Sequence, residues 1–151
     1  MTAGIAIDQA RPVREEDAFD LARVDVFLKS RIEGLSGEPE LRQFPGGASN
    51  LTYLLRYGDR ELVLRRPPAG VKAKSAHDML REARVMAALK PHYPLVPTIL
   101  ASCDDPDVIG QDFYVMERLR GVILRRDLPE GLGLDANGVR RLCTGFVDRL
   151  I

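Results

Sequence analysis

The chain has 151 residues, 45% of them hydrophobic and 29% charged, which fits a folded globular domain and argues against a disordered tail. Its 22 basic and 22 acidic side chains cancel, and this balance disfavours a dedicated nucleic-acid binder. No apolar run reaches the roughly 18 residues of a membrane span, and the N-terminus lacks a signal-peptide pattern. We therefore expect a cytoplasmic protein whose partners include neither a membrane nor a nucleic acid.

The first predicted helix follows an N-terminal arm at residues 1–14. It begins at the acidic residues 15–17, which suit the positive end of a helix. Apolar residues then recur at helical spacing over 21–32. Gly34 indicates that the helix ends near residue 33.

Three strands are predicted next, at residues 41–44, 51–57 and 61–66. Each is short and rich in aliphatic or aromatic side chains. A glycine-rich turn at 45–50 separates the first two strands. Gly58-Asp59 between the second and third is typical of a hairpin.

Two more helices are predicted farther along the chain. One begins at a capping box with Ser75 as the N-cap and Asp78 reaching back, and it ends before Pro91. The other follows a linker at 122–134 and is capped by Asp135. Its apolar face runs to the last residue without a closing signal, so we expect that the chain has been cut short.

The remaining two strands complete an α+β domain. They are predicted at 98–102 and 112–119 and pair antiparallel across an acidic turn at 104–107. The resulting order is helix, three strands, helix, two strands, linker, helix. This order predicts an antiparallel sheet covered by a helix.

Four stretches of the chain carry a family resemblance. They are FPGGASNLTYLL (44–55), LVLRRPPAG (62–70), LREARVMAAL (80–89) and DFYVMERLRG (112–121). In this order they resemble the N-terminal lobe of the aminoglycoside phosphotransferase and choline kinase-like family, which has a protein-kinase-like fold. The nearest branch is similar to the kinase domain linked to some acyl-CoA dehydrogenases. The resemblance implies a five-stranded antiparallel sheet in a nucleotide-binding lobe at 15–121, and the start of a truncated second lobe at 135–151.

The glycine-rich turn is a candidate phosphate-binding loop. Gly46 and Gly47 would let the backbone approach an anion closely, because glycine has no Cβ. The Ser49 hydroxyl and the Asn50 amide could hold further phosphate oxygens. A plain hairpin turn is the alternative, and the GxxxxGK[ST] pattern of a P-loop is absent.

Arg65 and Glu82 are the candidate ion pair. The resemblance places Arg65 where kinases have a lysine that contacts the α- and β-phosphates, and Glu82 where they have its glutamate partner. Arg66 competes for the role, but adjacent strand residues point to opposite faces, and the aligned LVLR favours Arg65. The alternative is a surface ion pair of little energetic weight.

The end of the last strand resembles the hinge that seats adenine. The resemblance implies that the Glu117 carbonyl and the Leu119 N–H pair with the adenine edge, with Met116 behind the ring. The alternative is an edge strand that leads into a linker.

The sequence predicts no catalytic residue and no metal ligand in this chain. Family members carry an HxDxxxxN catalytic loop and a later aspartate for Mg²⁺, and neither occurs here. The resemblance therefore implies a lobe that binds ATP and Mg²⁺ within a larger kinase, acts on a small-molecule hydroxyl, and is inactive alone. The alternative is a non-catalytic binding or oligomerisation module. In both cases we expect self-association through exposed apolar surface.

Overall fold

A computed structural model of the chain describes residues 9–45, 50–68, 78–124, 128 and 131–149. The strands lie within two residues of their predicted bounds. In chain order, the elements are a 3₁₀ turn at Glu15–Asp17, α1 at Leu21–Arg31, β1 at Glu40–Gln43, β2 at Leu51–Tyr57, β3 at Arg60–Arg66, α2 at Met79–Leu89, β4 at Ile99–Cys103, α3 at Pro106–Ile109, β5 at Phe113–Glu117 and α4 at Ala136–Val147.

The five strands form one sheet in the order β1-β2-β3-β5-β4. Every neighbouring pair is antiparallel, including β4 with β5, so the predicted five-stranded antiparallel sheet and the α+β class are confirmed. The chain crosses over from β3 to the edge strand β4, and β5 then lies between these two strands. As a result Arg65 of β3 lies directly opposite Tyr114 of β5.

Strand alternation gives the sheet two different faces. On one face, Leu62 and Leu64 of β3 join a large core with Val24 and Leu28 of α1. On the other face, the buried residues of a smaller core are Tyr114 of β5 with Met79 and Ala83 of α2. Helices α1 and α2 thus contribute to separate cores.

The predicted start of the first helix is wrong. The acidic residues 15–17 form a 3₁₀ turn, and α1 begins only after Asp20, whose side chain accepts a hydrogen bond from the backbone N of Arg23. The reason is that the Asp17 carboxylate is buried and accepts a hydrogen bond from Gln43 Nε2 over 2.7 Å. That contact holds the turn against β1 instead of letting it continue into the helix.

The structure corrects the predicted start of the second helix. Asp78 is itself the N-cap of α2, and its Oδ1 accepts from the backbone N of Arg81 over 2.7 Å. Ser75 lies outside the described residues. The helix ends before Pro91, as predicted.

The acidic turn predicted at 104–107 is in part a helix. Pro106 is the first residue of the one-turn helix α3, because its fixed φ suits that position and Asp105 caps the turn. Gly110 ends α3 with a φ of +76°, a conformation that glycine adopts without strain.

The chain divides into two units, one of which is residues 9–119. The described residues from Arg120 onward belong to the other unit and include α4. As predicted, Asp135 caps α4, accepting from the backbone N of Gly138 over 2.6 Å. Within the described ranges, none of the helices has the length and apolar composition of a membrane span.

Candidate functional site

An ion pair joins strand β3 to helix α2. Arg65 Nη1 donates a hydrogen bond to Glu82 Oε1, across 17 residues of sequence. The two side chains are 25% and 34% exposed, so solvent screens the pair less than it screens a fully exposed one. The structure thus brings together the two residues that the sequence paired, while their role toward a nucleotide stays a prediction.

Arg66 lies on the opposite face of the sheet and is only 3% exposed. Its guanidinium donates to the Tyr53 hydroxyl over 3.1 Å, to Gln111 Oε1 over 2.9 Å and to the Asp17 carbonyl over 2.6 Å. It also lies over the Tyr53 ring, 5.5 Å from the centroid. A buried group with these partners fastens the N-terminal turn to the sheet, so Arg66 is not the arginine beside Glu82.

Tyr114 is a third member of the site that the sequence analysis missed. Arg65 Nη1 donates to its hydroxyl over 3.0 Å. Burial raises the pKa of Tyr114 to about 12. The signal that would have found it is the strand register, since Arg65 and Tyr114 are directly opposed on β3 and β5.

The predicted adenine-binding residues lie at and just beyond the end of β5. Met116 is half-buried and packs against the smaller core, and Leu119 is exposed. The Glu117 carboxylate accepts hydrogen bonds from the Thr98 backbone N over 2.9 Å and from Lys90 Nζ over 3.1 Å. The Thr98 N–H and then the Lys90 ammonium hold the pKa of Glu117 below its ordinary value.

Lys90 connects the end of α2 to this strand end, a contact that the sequence analysis did not predict. Besides Glu117, its ammonium donates to the carbonyls of Pro94 over 3.1 Å and of Val96 over 2.8 Å. An ammonium has three donors, and these three oxygens match them in number. Lys90 therefore fixes the end of β5 relative to α2.

Arg118 links the same strand end to the approach of the glycine-rich turn. Its Nη1 donates to Glu61 Oε2 over 2.6 Å, and its guanidinium lies 5.6 Å from the centroid of the Phe44 ring. Glu61 also accepts from Arg56. No local sequence pattern indicated this contact, because Arg118 and Glu61 are 57 residues apart.

Comparison with known proteins identifies the family. A family model described as the phosphotransferase enzyme family matches residues 40–150. The chain belongs to this family. The match spans all five strands and helix α2, and so includes the Arg65–Glu82 pair.

The relatives of this phosphotransferase-family chain include proteins named for acyl-CoA dehydrogenases. It is 40% identical over 129 residues to acyl-CoA dehydrogenase family member 10 of Mus musculus, covering 85% of this chain and 12% of that protein. It is 37% identical over 123 residues to family member 11 of Gallus gallus, covering 78% of this chain and 16% of that protein. The expected resemblance to this branch is confirmed.

A solved structure supports the same family. It is a Ralstonia eutropha protein named as a candidate aminoglycoside phosphotransferase, with a TM-score of 0.59 and 32% identity. The match covers 72% of this chain and 30% of that one. This phosphotransferase-family chain therefore spans less than a third of each of the relatives named here.

Part of the predicted site lies outside the described residues, namely Gly46, Gly47 and Ser49. Asn50 is described, is half-buried and immediately precedes β2. Across the described ranges, no group of three or more His, Cys, Asp or Glu side chains converges in a way that could hold a metal ion.

Proposed function

We propose that this chain forms the nucleotide-binding lobe of an ATP-dependent phosphotransferase that transfers a phosphoryl group to the hydroxyl of a small molecule. The observation that carries the proposal is the Arg65–Glu82 ion pair between β3 and α2, in a chain of the phosphotransferase family. In kinases the corresponding pair orients the phosphates of ATP. An arginine at this position adds a planar fork of donors that suits phosphate oxygens.

In this proposal the phosphates lie between the Arg65 guanidinium and the glycine-rich turn. Gly46 and Gly47 allow the backbone N–H groups to approach the phosphates closely, and Ser49 and Asn50 add side-chain donors. Glu82 orients the Arg65 guanidinium through this ion pair, and Arg65 binds the phosphates. Support comes from the contact of Arg65 with Glu82.

The adenine is proposed to lie at the end of β5. The Glu117 carbonyl and the Leu119 N–H would pair with its edge, and Met116 would lie behind the ring. Two contacts of the Glu117 side chain, with Thr98 and Lys90, support this role because they fix the backbone at the strand end. A fixed backbone loses less entropy when it binds a base edge.

The chain by itself is proposed to be inactive. Phosphoryl transfer depends on positioning and on charge stabilisation by a metal, together with a group that orients the acceptor hydroxyl. In this proposal the residues of this chain supply part of the positioning, and the rest of the catalytic machinery lies outside them. The cytoplasmic location expected from the sequence stays a prediction.

The direct test is ATP binding to the 151-residue chain, measured by calorimetry with Mg²⁺ present. Removing a charge-assisted contact typically costs about 1.5–3 kcal/mol, so Arg65→Met should weaken binding about tenfold or more. Arg60→Met is the matched control, because Arg60 is an exposed arginine of the same strand that donates only to a backbone carbonyl in the described contacts. Equal ATP binding by wild type and Arg65→Met would contradict the proposal.

A non-catalytic binding or oligomerisation module is the second candidate, and the exposed apolar side of α4 is its proposed interface; since both candidates predict self-association, ATP binding distinguishes them. Leu142, Phe146 and Val147 are exposed on this amphipathic helix. Such a surface suits self-association. The module is supported if the wild-type chain binds no ATP and Phe146→Ser converts a dimer to a monomer in sedimentation velocity. A monomeric wild-type chain would contradict it.

A further inference from the structure

A buried tyrosine contacts Arg65 at the same nitrogen that binds Glu82. Tyr114 is fully buried in β5 and lies directly opposite Arg65 in the strand register. Arg65 Nη1 donates to its hydroxyl over 3.0 Å, and the guanidinium carbon lies 6.0 Å from the centroid of its ring. Arg65 thus contacts both Glu82 and Tyr114 through one nitrogen.

This arrangement constrains the direction of the Arg65 guanidinium. Glu82 and Tyr114 both accept from the same nitrogen, Nη1. Because a guanidinium is rigid and planar, two acceptors at one corner fix its plane more firmly than one carboxylate does. The Tyr114 ring is in turn packed by Met79 and Ala83 of α2. Packing therefore holds the Tyr114 hydroxyl in place, and its hydrogen bond restricts the long Arg65 side chain.

The chemistry of a tyrosine suits this position. Burial raises the pKa of Tyr114 to about 12, so the hydroxyl is neutral at physiological pH. A neutral hydroxyl accepts from Arg65 without adding a negative charge. A second carboxylate here would compete with a phosphate for the arginine.

We infer that Tyr114 is a positioning residue, which together with Glu82 orients the Arg65 guanidinium toward the phosphates of the nucleotide. The inference rests on the proposed function, because it assumes that Arg65 binds phosphate. It extends that function to a residue whose side chain has no expected contact with the nucleotide. Tyr114 acts through Arg65.

The test compares two tyrosine-to-phenylalanine variants. Tyr114→Phe removes the hydroxyl beside Arg65 and keeps the ring that packs on α2. Tyr57→Phe is the matched control, because the Tyr57 hydroxyl also forms a hydrogen bond with a charged side chain, to Asp25 Oδ1 over 2.9 Å, from a buried ring of the larger core. Two properties are measured on the 151-residue chain: NMR relaxation of the Arg65 Nε–H group without nucleotide, and ATP binding with Mg²⁺.

We expect Tyr114→Phe to reduce the order of the Arg65 side chain and to weaken ATP binding about three- to tenfold, the effect of one hydrogen bond. Tyr57→Phe should leave both properties unchanged. Equal Arg65 order in wild type and Tyr114→Phe would overturn the inference, as would equal ATP binding or an equal loss in Tyr57→Phe. If wild type binds no ATP, the proposed function fails and the inference fails with it. If wild type binds ATP but Tyr114→Phe has no effect, only the inference fails.

Discussion

At the scale of single residues, two neighbouring arginines of β3 have opposite environments. Arg65 contacts Glu82 and Tyr114 near the surface, whereas Arg66 is buried among backbone and neutral side-chain acceptors. The difference follows from the alternation of side chains along a strand, which places successive residues on opposite faces. One residue thus belongs to the candidate site and the next to the core.

Glu117 should make the stability of the chain depend on pH. Its folded-state pKa is lowered from 4.5, so the carboxylate stabilises the fold at neutral pH, and this contribution is lost as the pH falls through the folded-state pKa. Glu117→Gln should therefore destabilise the chain at pH 7 by about 1 kcal/mol at most, because the carboxyl is partly exposed and solvent screens it. The difference should shrink as the pH falls below about 4.5 and vanish below the folded-state pKa.

The measurement is the free energy of urea unfolding of both chains between pH 3 and pH 7. Glu38→Gln, at an exposed carboxylate, is the control and should change stability by less than about 0.5 kcal/mol. A difference between wild type and Glu117→Gln that stays constant across this range would contradict the role given to the Glu117 charge.

Sequence reasoning found some of the site residues and missed others for a physical reason. The pairing of Arg65 with Glu82 was predictable, because a family resemblance gave both positions. Tyr114, Lys90 and Arg118 were missed because the side chains that they contact, Arg65, Glu117 and Glu61 respectively, lie 27 to 57 residues away in the sequence. Alternation indicates the face on which a side chain lies but does not identify the residue it meets across the sheet.

At the scale of elements, the strands were predicted more accurately than the helix starts. Strands β2 and β3 have strong apolar content and a glycine hairpin signal, and their bounds agree with the sequence to within one residue. The start of α1 was misplaced because acidic residues 15–17 suit a helix N-terminus locally, whereas Asp17 is held by Gln43 of β1. Ser75 was predicted as the N-cap of α2, whereas Asp78 has that position, because both residue types cap helices well and the local pattern does not distinguish them.

The cap of α2 should be worth about 1 kcal/mol. Asp78→Ala removes the acceptor of the Arg81 N–H and should destabilise the chain by about 0.5–2 kcal/mol. Asp78→Asn keeps a side-chain oxygen and should be close to wild type. Urea unfolding gives both values, and hydrogen exchange at the Arg81 amide reports the local effect. An Asp78→Ala chain as stable as wild type would show that the helix does not depend on this cap.

Helix α1 should contribute strongly to the larger core. Leu28 is fully buried there, so Leu28→Ala should cost about 2–5 kcal/mol. Val26 of the same helix is 72% exposed, and Val26→Ala should change stability by less than about 0.5 kcal/mol. The midpoint of urea unfolding distinguishes the two variants. Similar losses in both would contradict the packing of α1 on the sheet.

At the scale of the whole molecule, the sheet and α2 bring the candidate nucleotide-binding residues into one unit. The described members Asn50, Arg65, Glu82, Met116, Glu117 and Leu119 all fall within residues 9–119. The chain spans less than a third of the relatives to which it was compared. The site that binds the acceptor molecule and the catalytic group are therefore proposed to belong to parts of such a protein that these residues do not include.

The measurement that tests the account most directly is an NMR titration of the 16.8 kDa chain with ATP and Mg²⁺. The account predicts that amide signals shift around Arg65, Glu82 and residues 116–119, together with those of the glycine-rich turn, and that Arg65→Met abolishes or greatly reduces these shifts. Shifts confined to α1 and α3, or no shift at millimolar ATP, would contradict it.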